Sequence, residues 1–577
     1  MDYKKISELL FPNITKTIDN YENEVYPKRN LPEGAKVTRL APSPTGFIHL
    51  GNLYGAFVDE RLAHQSGGVF MLRIEDTDEK RKVEGAVETI ISSLEFFGLK
   101  FDEGAGIEGE TGNYGPYFQS NRALVYQCFA KYLVEKGRAY PCFCTEEELE
   151  ELRNQQVKEN VNTGYYGKWA RDRNLSLEEV EKHLNNNEEF VIRFRSEGTE
   201  EGIFEIDDAI RGRLSIHENY QDAVILKTNG IPTYHFAHVV DDHLMRITHV
   251  VRGEEWLSTL PIHYEIFKAL GLETPIYCHT AHLMKMDDGA KRKLSKRKDP
   301  ELGLGYYMEL GYHPAAVREY LLTILNSNFE EWRMENPDNP IDDFQFTLEK
   351  MSNSGALFDL DKLNNISKDV LLKIPAKDLY EFLLKWANEH KTEAAELLLS
   401  NKDEVIKLLS VGRDGQKPRK DLMYCEQILE FISYFFDEYF KIEDNYPENI
   451  NEEEAKKLLQ AYLNTYDHMD DQSQWFDKIR IIASENGYAA KPKDYKKNPD
   501  IYKGHVGDVS TVIRVAIVGR ASSPDVWELQ QIMGEEKVRR RIKNAMWDSV
   551  DVSKNVLLIK IHWIIKGFEQ RAQILCF

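Results

Sequence analysis

One stretch, Lys36 to Gln65, limits the fold of this chain more than any other. Lys36-Val-Thr-Arg-Leu reads as a short strand, Ala41-Pro-Ser-Pro-Thr-Gly as a turn, and Asn52 to Gln65 as a helix. A strand–turn–helix unit aims a helix N-terminus, with its free N–H groups, at an anion. Gly46 and Gly51 would let backbone approach a nucleotide closely, and His49 and Asn52 would hydrogen-bond phosphate oxygens. Much later, Lys293-Leu-Ser-Lys-Arg sets Lys293 and Lys296 on either side of Ser295, in a basic stretch running from Lys285 to Lys298. Flexible lysines can follow charge as it builds on a leaving pyrophosphate, a contact worth most in the transition state. Together the two segments predict a site that holds ATP by its phosphates and directs attack at the α-phosphate.

With 577 residues, length alone predicts roughly three to five domains. The 74 Lys and Arg against 96 Asp and Glu leave a net charge of −22. That balance excludes a surface coated in non-specific nucleic-acid contacts, while leaving room for local basic patches. Cys128, Cys142, Cys144, Cys278, Cys425 and Cys576 have no framework spacing and read as reduced thiols. The charged start, Met1-Asp-Tyr-Lys-Lys-Ile, lacks a signal-type apolar core. No apolar run reaches the length of about 18 residues that a membrane span needs. The expected setting is the cytoplasm.

Residues 1–35 read as a helical extension (Ile6 to Leu10, Ile14 to Tyr21) without chemistry of its own. From 36 to 120 strand and helix patterns alternate, as in a parallel sheet with crossover helices. Residues 121–214 mix helix with β-rich segments around Phe190 to Arg195 and read as an α+β insertion. The sheet resumes over 215–262, with Ala223 to Thr228 and Met245 to Arg252 completing it. Residues 263–365 carry the lysine loop. From 366 to 542 long helical patterns dominate: Val370 to Leu384, Ala394 to Leu409, Asp421 to Phe440, Glu452 to Tyr466 and Trp475 to Glu485. Lys491-Pro-Lys-Asp-Tyr-Lys-Lys, continuing to Lys503, is the best basic patch there. The tail 543–577 has no assigned role.

These motifs, taken in register, resemble those of a known family. Arg39-Leu-Ala-Pro-Ser-Pro-Thr-Gly…His49-Leu-Gly-Asn is similar to the "HIGH" signature of class I aminoacyl-tRNA synthetases, and Lys293-Leu-Ser-Lys-Arg to their "KMSKS" loop. Arg73-Ile-Glu-Asp-Thr-Asp, Tyr234-His-Phe-Ala-His-Val-Val-Asp-Asp-His and Val251-Arg-Gly-Glu-Glu-Trp resemble glutamyl members, as do Phe358-Asp-Leu-Asp-Lys-Leu and Arg514-Val-Ala-Ile-Val-Gly-Arg. The resemblance runs from about Val37 to about Ile542. It implies an α/β fold: a Rossmann-like parallel-sheet catalytic domain, an insertion for the tRNA acceptor end, a stem-contact region, and an all-helical anticodon-binding region of bacterial type. It implies glutamate activation by ATP with Mg²⁺, then transfer to the 3′ end of tRNA(Glu), by a monomer. Whether tRNA(Gln) is also charged stays open. Glutamyl members of the family generally need bound tRNA before they activate the amino acid.

The resemblance also assigns residues. Thr45, Gly46, His49, Gly51, Glu255, Trp256 and Lys296 would bind ATP, with His49, Asn52, Lys293 and Lys296 catalytic. Arg39, Ala41, Ser43, Glu75, Tyr234, His238 and Arg252 would form the glutamate pocket. Glu75 would take the α-ammonium group, and Arg39 and Arg252 the carboxylates, which suit a guanidinium fork. Glutaminyl enzymes have a small uncharged residue where this chain has Arg252, so a cation there favours glutamate. His238 departs from the glutamyl pattern, which has asparagine. Some glutamyl enzymes bind zinc in the insertion through a Cys-x-Cys pair with a later Cys and His, and Cys142-Phe-Cys144 supplies only the first half. Where the later pair should follow, the chain has Trp169 and Arg171, and a structural zinc needs four ligands. No zinc is expected. The rivals are a glutaminyl enzyme, a short glutamyl transferase acting on a tRNA base, stand-alone adenylate-forming ligases or nucleotidylyltransferases, and a non-enzymatic tRNA-binding protein. Arg252 and the helical C-terminal region disfavour the first, that long C-terminal region the second and third, and the retained lysine loop the fourth.

Overall fold

The computed structural model describes residues 2–44, 48–78, 81, 83–413 and 417–547. Val37–Leu40 (β1) is buried at every position, as expected of a parallel strand covered on both faces. Leu50–Gln65 (α1) follows it, and Val69–Leu72 (β2) pairs with β1 in parallel, Leu40 opposite Leu72. Glu103–Gly104 (β3) extends the same sheet on the far side of β2.

Within residues 121–214, read as the insertion, Ala139–Cys142 (β4) runs antiparallel to Val191–Phe194 (β5). Ile203–Asp208 (β6) and Gly212–His217 (β7) make a separate hairpin. Val224–Leu226 (β8) corrects an expectation, since it joins β5 in antiparallel pairing instead of completing the parallel sheet. Residues 218–223, which link it to β7, are too short for the crossover that a parallel position demands. Tyr234–Leu244 (α2) leads to His249–Gly253 (β9), which pairs in parallel with Ile276–Thr280 (β10). Thr248 exchanges hydrogen bonds with Val37 (2.8 and 2.9 Å), which sets β9 alongside β1. Leu283–Asp287 (β11) then forms a hairpin with Ala290–Lys293 (β12), and Ala356–Leu357 (β13) pairs with β11.

These elements belong to one compact unit, Met1–Met308 with Pro314–Leu363; the second is Glu309–His313 with Asn364–Phe577. The N-terminal extension is part of the first unit's packing: Lys131 Nζ donates to the carbonyls of Phe11 and Ile14, and Tyr26 is buried against Arg122. In the second unit two expected helices are each divided. Leu360–Lys373 ends before Pro375, where Ala376–His390 begins, because the residue before a proline disfavours the helical region. Thr392–Ser400 and Lys402–Ser410 meet at Asn401, which is not helical. The expected Asp421 to Phe440 helix is reduced to Cys425–Ile432 and a short 3₁₀ turn, whereas Glu452–Thr465 and Gln472–Glu485 match their patterns. Among the described residues no helix is long and apolar enough to cross a membrane.

Candidate active site

The parallel register brings the carboxyl ends of β1, β2, β9 and β10 to one edge, where ligands of open parallel sheets bind. Ala41 and Ser43 leave β1 there, and Arg73 and Glu75 leave β2, tied across by the Glu75 N–H donating to the Pro42 carbonyl at 3.0 Å. Arg252 and Gly253 end β9 opposite His279 and Thr280.

On the nucleotide side, His49 is the N-cap of α1. Its Nδ1 accepts the Asn52 N–H at 3.3 Å, and Asn52 Oδ1 accepts the His49 N–H at 3.1 Å. Asn52 and one edge of His49 therefore cap the helix, which fixes where the rest of the imidazole points. A Cβ at Gly51 would meet the His49 ring at 3.1 Å, so this glycine makes room for the imidazole. Thr45 and Gly46 lie outside the described residues. The lysine loop reaches His49 through a bridge between His49 and Gly303, just beyond the loop. Desolvation, with Lys293 and Lys296 close by, holds the imidazole below the usual histidine range against the opposing charge of Glu255. The two distant motifs thus meet at one histidine.

Asp299 anchors the loop, and no motif in the sequence singles it out. It is buried, accepts both ends of the Arg292 guanidinium (2.6 and 2.7 Å) and the Ser295 N–H (2.8 Å), and its carboxyl is held far below the usual range by Arg292 despite burial. Lys293 Nζ lies 3.2 Å from His282 Nε2, whose ring in turn lies 3.3 Å from Glu255. The Trp256 ring packs on Tyr234 at 4.7 Å, beside the amino-acid pocket.

In that pocket Arg39 and Arg73 share Asp242, Arg39 Nε at 3.2 Å and Arg73 at 2.6 Å. The two guanidinium groups hold Asp242 below the usual carboxylate range despite its burial. Arg73 also donates to Glu75 at 3.3 Å, while burial raises the Glu75 carboxyl. Arg252 is buried, yet its hydrogen-bond partners are neutral. It donates to His279 Nε2 (2.9 Å), His263 Nδ1 (3.3 Å) and the Tyr234 hydroxyl (3.4 Å), and lies 4.8 Å from the Tyr277 ring centre. Its second terminal nitrogen is buried without a hydrogen-bond partner among the described residues. A guanidinium only donates, so both ring nitrogens facing it are acceptors, and burial holds both histidines below their usual range. His238 is wholly buried between the Tyr277 hydroxyl (3.0 Å) and Asp242 (3.2 Å). It supports the pocket from behind and lines no open surface.

In the insertion Asp172 comes within reach of Cys142 and Cys144, a trio close enough to hold a metal. The Tyr165 hydroxyl lies 3.5 and 3.4 Å from the two sulfurs, and Arg171 donates to Cys144 at 3.6 Å. A guanidinium beside three donors leaves the set one ligand short of a tetrahedral zinc. A cavity of about 440 Å³ between the insertion and the helices Tyr234–Leu244 and Leu260–Leu270 is lined by Arg153, Tyr165, Arg193 and His235 and by none of Arg39, Glu75, Arg252 or Lys296. In the helical unit the Lys491 patch forms the short helix Pro492–Lys497. A cavity of about 720 Å³ there gathers Arg419, Arg480 and Arg514 with Trp475 and Phe476, the cation-and-aromatic chemistry that unpaired RNA bases favour.

Comparison with known proteins places the chain in a family. The family described as "tRNA synthetases class I (E and Q), catalytic domain" matches residues 36–365, and "Anticodon binding domain" matches 500–546. The glutamate–tRNA ligase of Acetivibrio thermocellus is 78% identical over 546 residues, covering 95% of this chain and all of that protein. That of Clostridium perfringens is 50% identical over 551 residues, covering 95% of this chain and all of that protein. The crystal structure of a glutamate tRNA ligase from Elizabethkingia meningosepticum in complex with its amino acid superposes with a TM-score of 0.68 at 27% identity, covering 89% of this chain and 99% of that one.

Proposed function

The chain belongs to the glutamate–tRNA ligases of class I, and from that premise we propose how its residues divide the work. Glutamate lies at the carboxyl edge of the sheet, with Ala41 and Ser43 along it and Trp256 and Tyr234 beside it. Glu75 receives the α-ammonium group and Arg39 a carboxylate. Arg252 receives the side-chain carboxylate. An α-carboxylate oxygen attacks the α-phosphorus of ATP and the bond to the β-phosphate breaks, releasing pyrophosphate. The terminal ribose hydroxyl of tRNA then attacks the glutamyl carbonyl, and AMP leaves. No side-chain nucleophile is required, because positioning and charge stabilisation supply the catalysis. His49, fixed by its own cap, binds phosphate, and Lys293 and Lys296 follow charge onto the pyrophosphate.

Among the described residues no acidic cluster near His49 forms a cage for Mg²⁺. The ion would come on the phosphate oxygens of ATP itself, balancing their charge. We assign no zinc to the insertion. We read the protein as a cytoplasmic monomer that charges tRNA(Glu), and charging assays with purified tRNA(Glu) and tRNA(Gln) decide between one substrate tRNA and two.

The observation that carries the reading is the buried Arg252, held by neutral acceptors with one N–H₂ unpartnered among the described residues. A desolvated cation left so is costly, and glutamate brings the anion that glutamine cannot, worth about 10²-fold in discrimination. Arg252→Ala is expected to cripple kcat/KM for glutamate and to narrow the Glu/Gln ratio. Unchanged values of both would remove Arg252 from the pocket.

A further inference from the structure

A carboxylate outside every recognised motif stands directly behind Arg252. Asp208 ends β6, in the hairpin of the insertion, and its side chain is fully buried against that of His279. Its Oδ2 lies 2.7 Å from His279 Nδ1. The same carboxylate accepts the backbone N–H groups of His279 (3.1 Å), Ile210 (3.0 Å) and Arg211 (2.9 Å). Since His279 Nε2 must be an acceptor for the Arg252 Nε–H, the ring proton sits on Nδ1 and is donated to Asp208. The order Asp208–His279–Arg252 is thus fixed by donor and acceptor rules.

We propose that Asp208 is a positioning residue for substrate specificity: through the neutral ring of His279 it holds the Arg252 guanidinium by Nε, leaving the second terminal nitrogen for the substrate's side-chain carboxylate. This rests on the glutamate reading of Arg252 given above. A carboxylate in direct contact would compete with glutamate for the same donors. The imidazole spacer avoids that. It transmits the favourable field of Asp208 while occupying only Nε, and Tyr234 and His263 take the first terminal nitrogen at the longer distances of 3.4 and 3.3 Å. Backbone donors fix Asp208 on three sides, so the hairpin of the insertion, and not the sheet alone, sets the direction of the specificity arginine.

Asp208→Asn tests the assignment. The amide is nearly isosteric but can present N–H₂ to His279 Nδ1, which favours the tautomer with a proton on Nε2 facing the Arg252 donor. The expected result is a KM for glutamate raised about tenfold or more, as for loss of a charge-assisted bond, with the KM for ATP unchanged and kcat reduced far less. The Glu/Gln ratio of kcat/KM should fall with it. His279→Gln retains an oxygen that can accept from Arg252 Nε and should be the milder variant, while His279→Leu should be as severe as Asp208→Asn. A merely structural hairpin contact would instead lower the melting temperature and depress kcat for both amino acids without moving the ratio, and that outcome overturns the proposal. Arg252→Ala run in parallel separates the two claims. If it leaves glutamate use intact, the pocket reading fails; if it cripples glutamate use while Asp208→Asn leaves KM and ratio untouched, only the role of Asp208 fails.

Discussion

At the scale of single residues, the proposed mechanism puts the catalytic burden on groups that would meet the reacting phosphates late. Lys296 is exposed on its loop and shares the field at His49 with Lys293. Its partner charge appears mainly as pyrophosphate departs, so Lys296→Ala is expected to cut kcat by about 10²-fold or more while leaving the KM values for glutamate and ATP within a few-fold. Single-turnover adenylate formation measures this, and near-normal turnover with only a raised ATP KM would sink the assignment. His49, Lys293, Lys296 and Arg252 stand out in the sequence because each sits in a motif with fixed neighbours, and the places of the two lysines near His49 and of Arg252 at the end of β9 follow from it. Asp299, Asp208, His279 and His263 do not. Their significance lies in contacts made by folding: Asp299 matters because Arg292 and the Ser295 N–H converge on it, and Asp208 because its hairpin returns to β10, where the Ala209 N–H donates to the Tyr277 carbonyl. His238 shows the converse. Its place in a motif marked it as a ligand contact, but burial behind Tyr277 makes it a support.

Among elements, apolar periodicity identifies the type of nearly every helix and strand used here, and errs where a local breaker or a pairing choice decides. Pro375 and Asn401 divide helices whose apolar periodicity runs on unbroken, and β8 takes an antiparallel partner that no period reveals. One motif near the C-terminal end acquires a backbone explanation. Gly519 closes the helix Val506–Val518 with φ of 81°, and its carbonyl accepts the N–H groups of Glu443 and Asp444. A Cβ there would stand 1.9 Å from the Lys441 carbonyl oxygen. Gly271 ends Leu260–Leu270 with φ of 71°, but nothing lies within 4 Å of its would-be Cβ. Gly271→Ala should therefore cost about 1 kcal/mol, the strain of a left-handed residue, and Gly519→Ala roughly 3 kcal/mol or more because backbone must also shift. Denaturant unfolding of the two variants checks the order, and equal losses would mean that the Lys441 segment yields freely.

For the whole molecule, a net charge of −22 means that tRNA cannot be held by general attraction and must be met by chosen groups. The insertion, read as the acceptor-end site, is physically continuous with the amino-acid pocket. Its hairpin supplies Asp208 to the back of Arg252, and Arg211 from the same hairpin pairs with Glu254, the neighbour of Glu255 and Trp256. A ligand that shifts the hairpin therefore acts on both sides of the site at once, through contacts already formed. These contacts offer a route by which bound tRNA would act on glutamate activation. ATP–pyrophosphate exchange with glutamate is expected to be negligible in the absence of tRNA and to appear when tRNA(Glu) is added. Because coupling between two binding sites is reciprocal, glutamate together with a non-hydrolysable ATP analogue should tighten tRNA binding by the factor that tRNA tightens glutamate binding. Asp208→Asn should weaken that coupling in both directions. Robust exchange without any tRNA would rule the coupling out, since the pocket would then be complete without the insertion's ligand, and the activation step would resemble that of a stand-alone adenylate-forming enzyme.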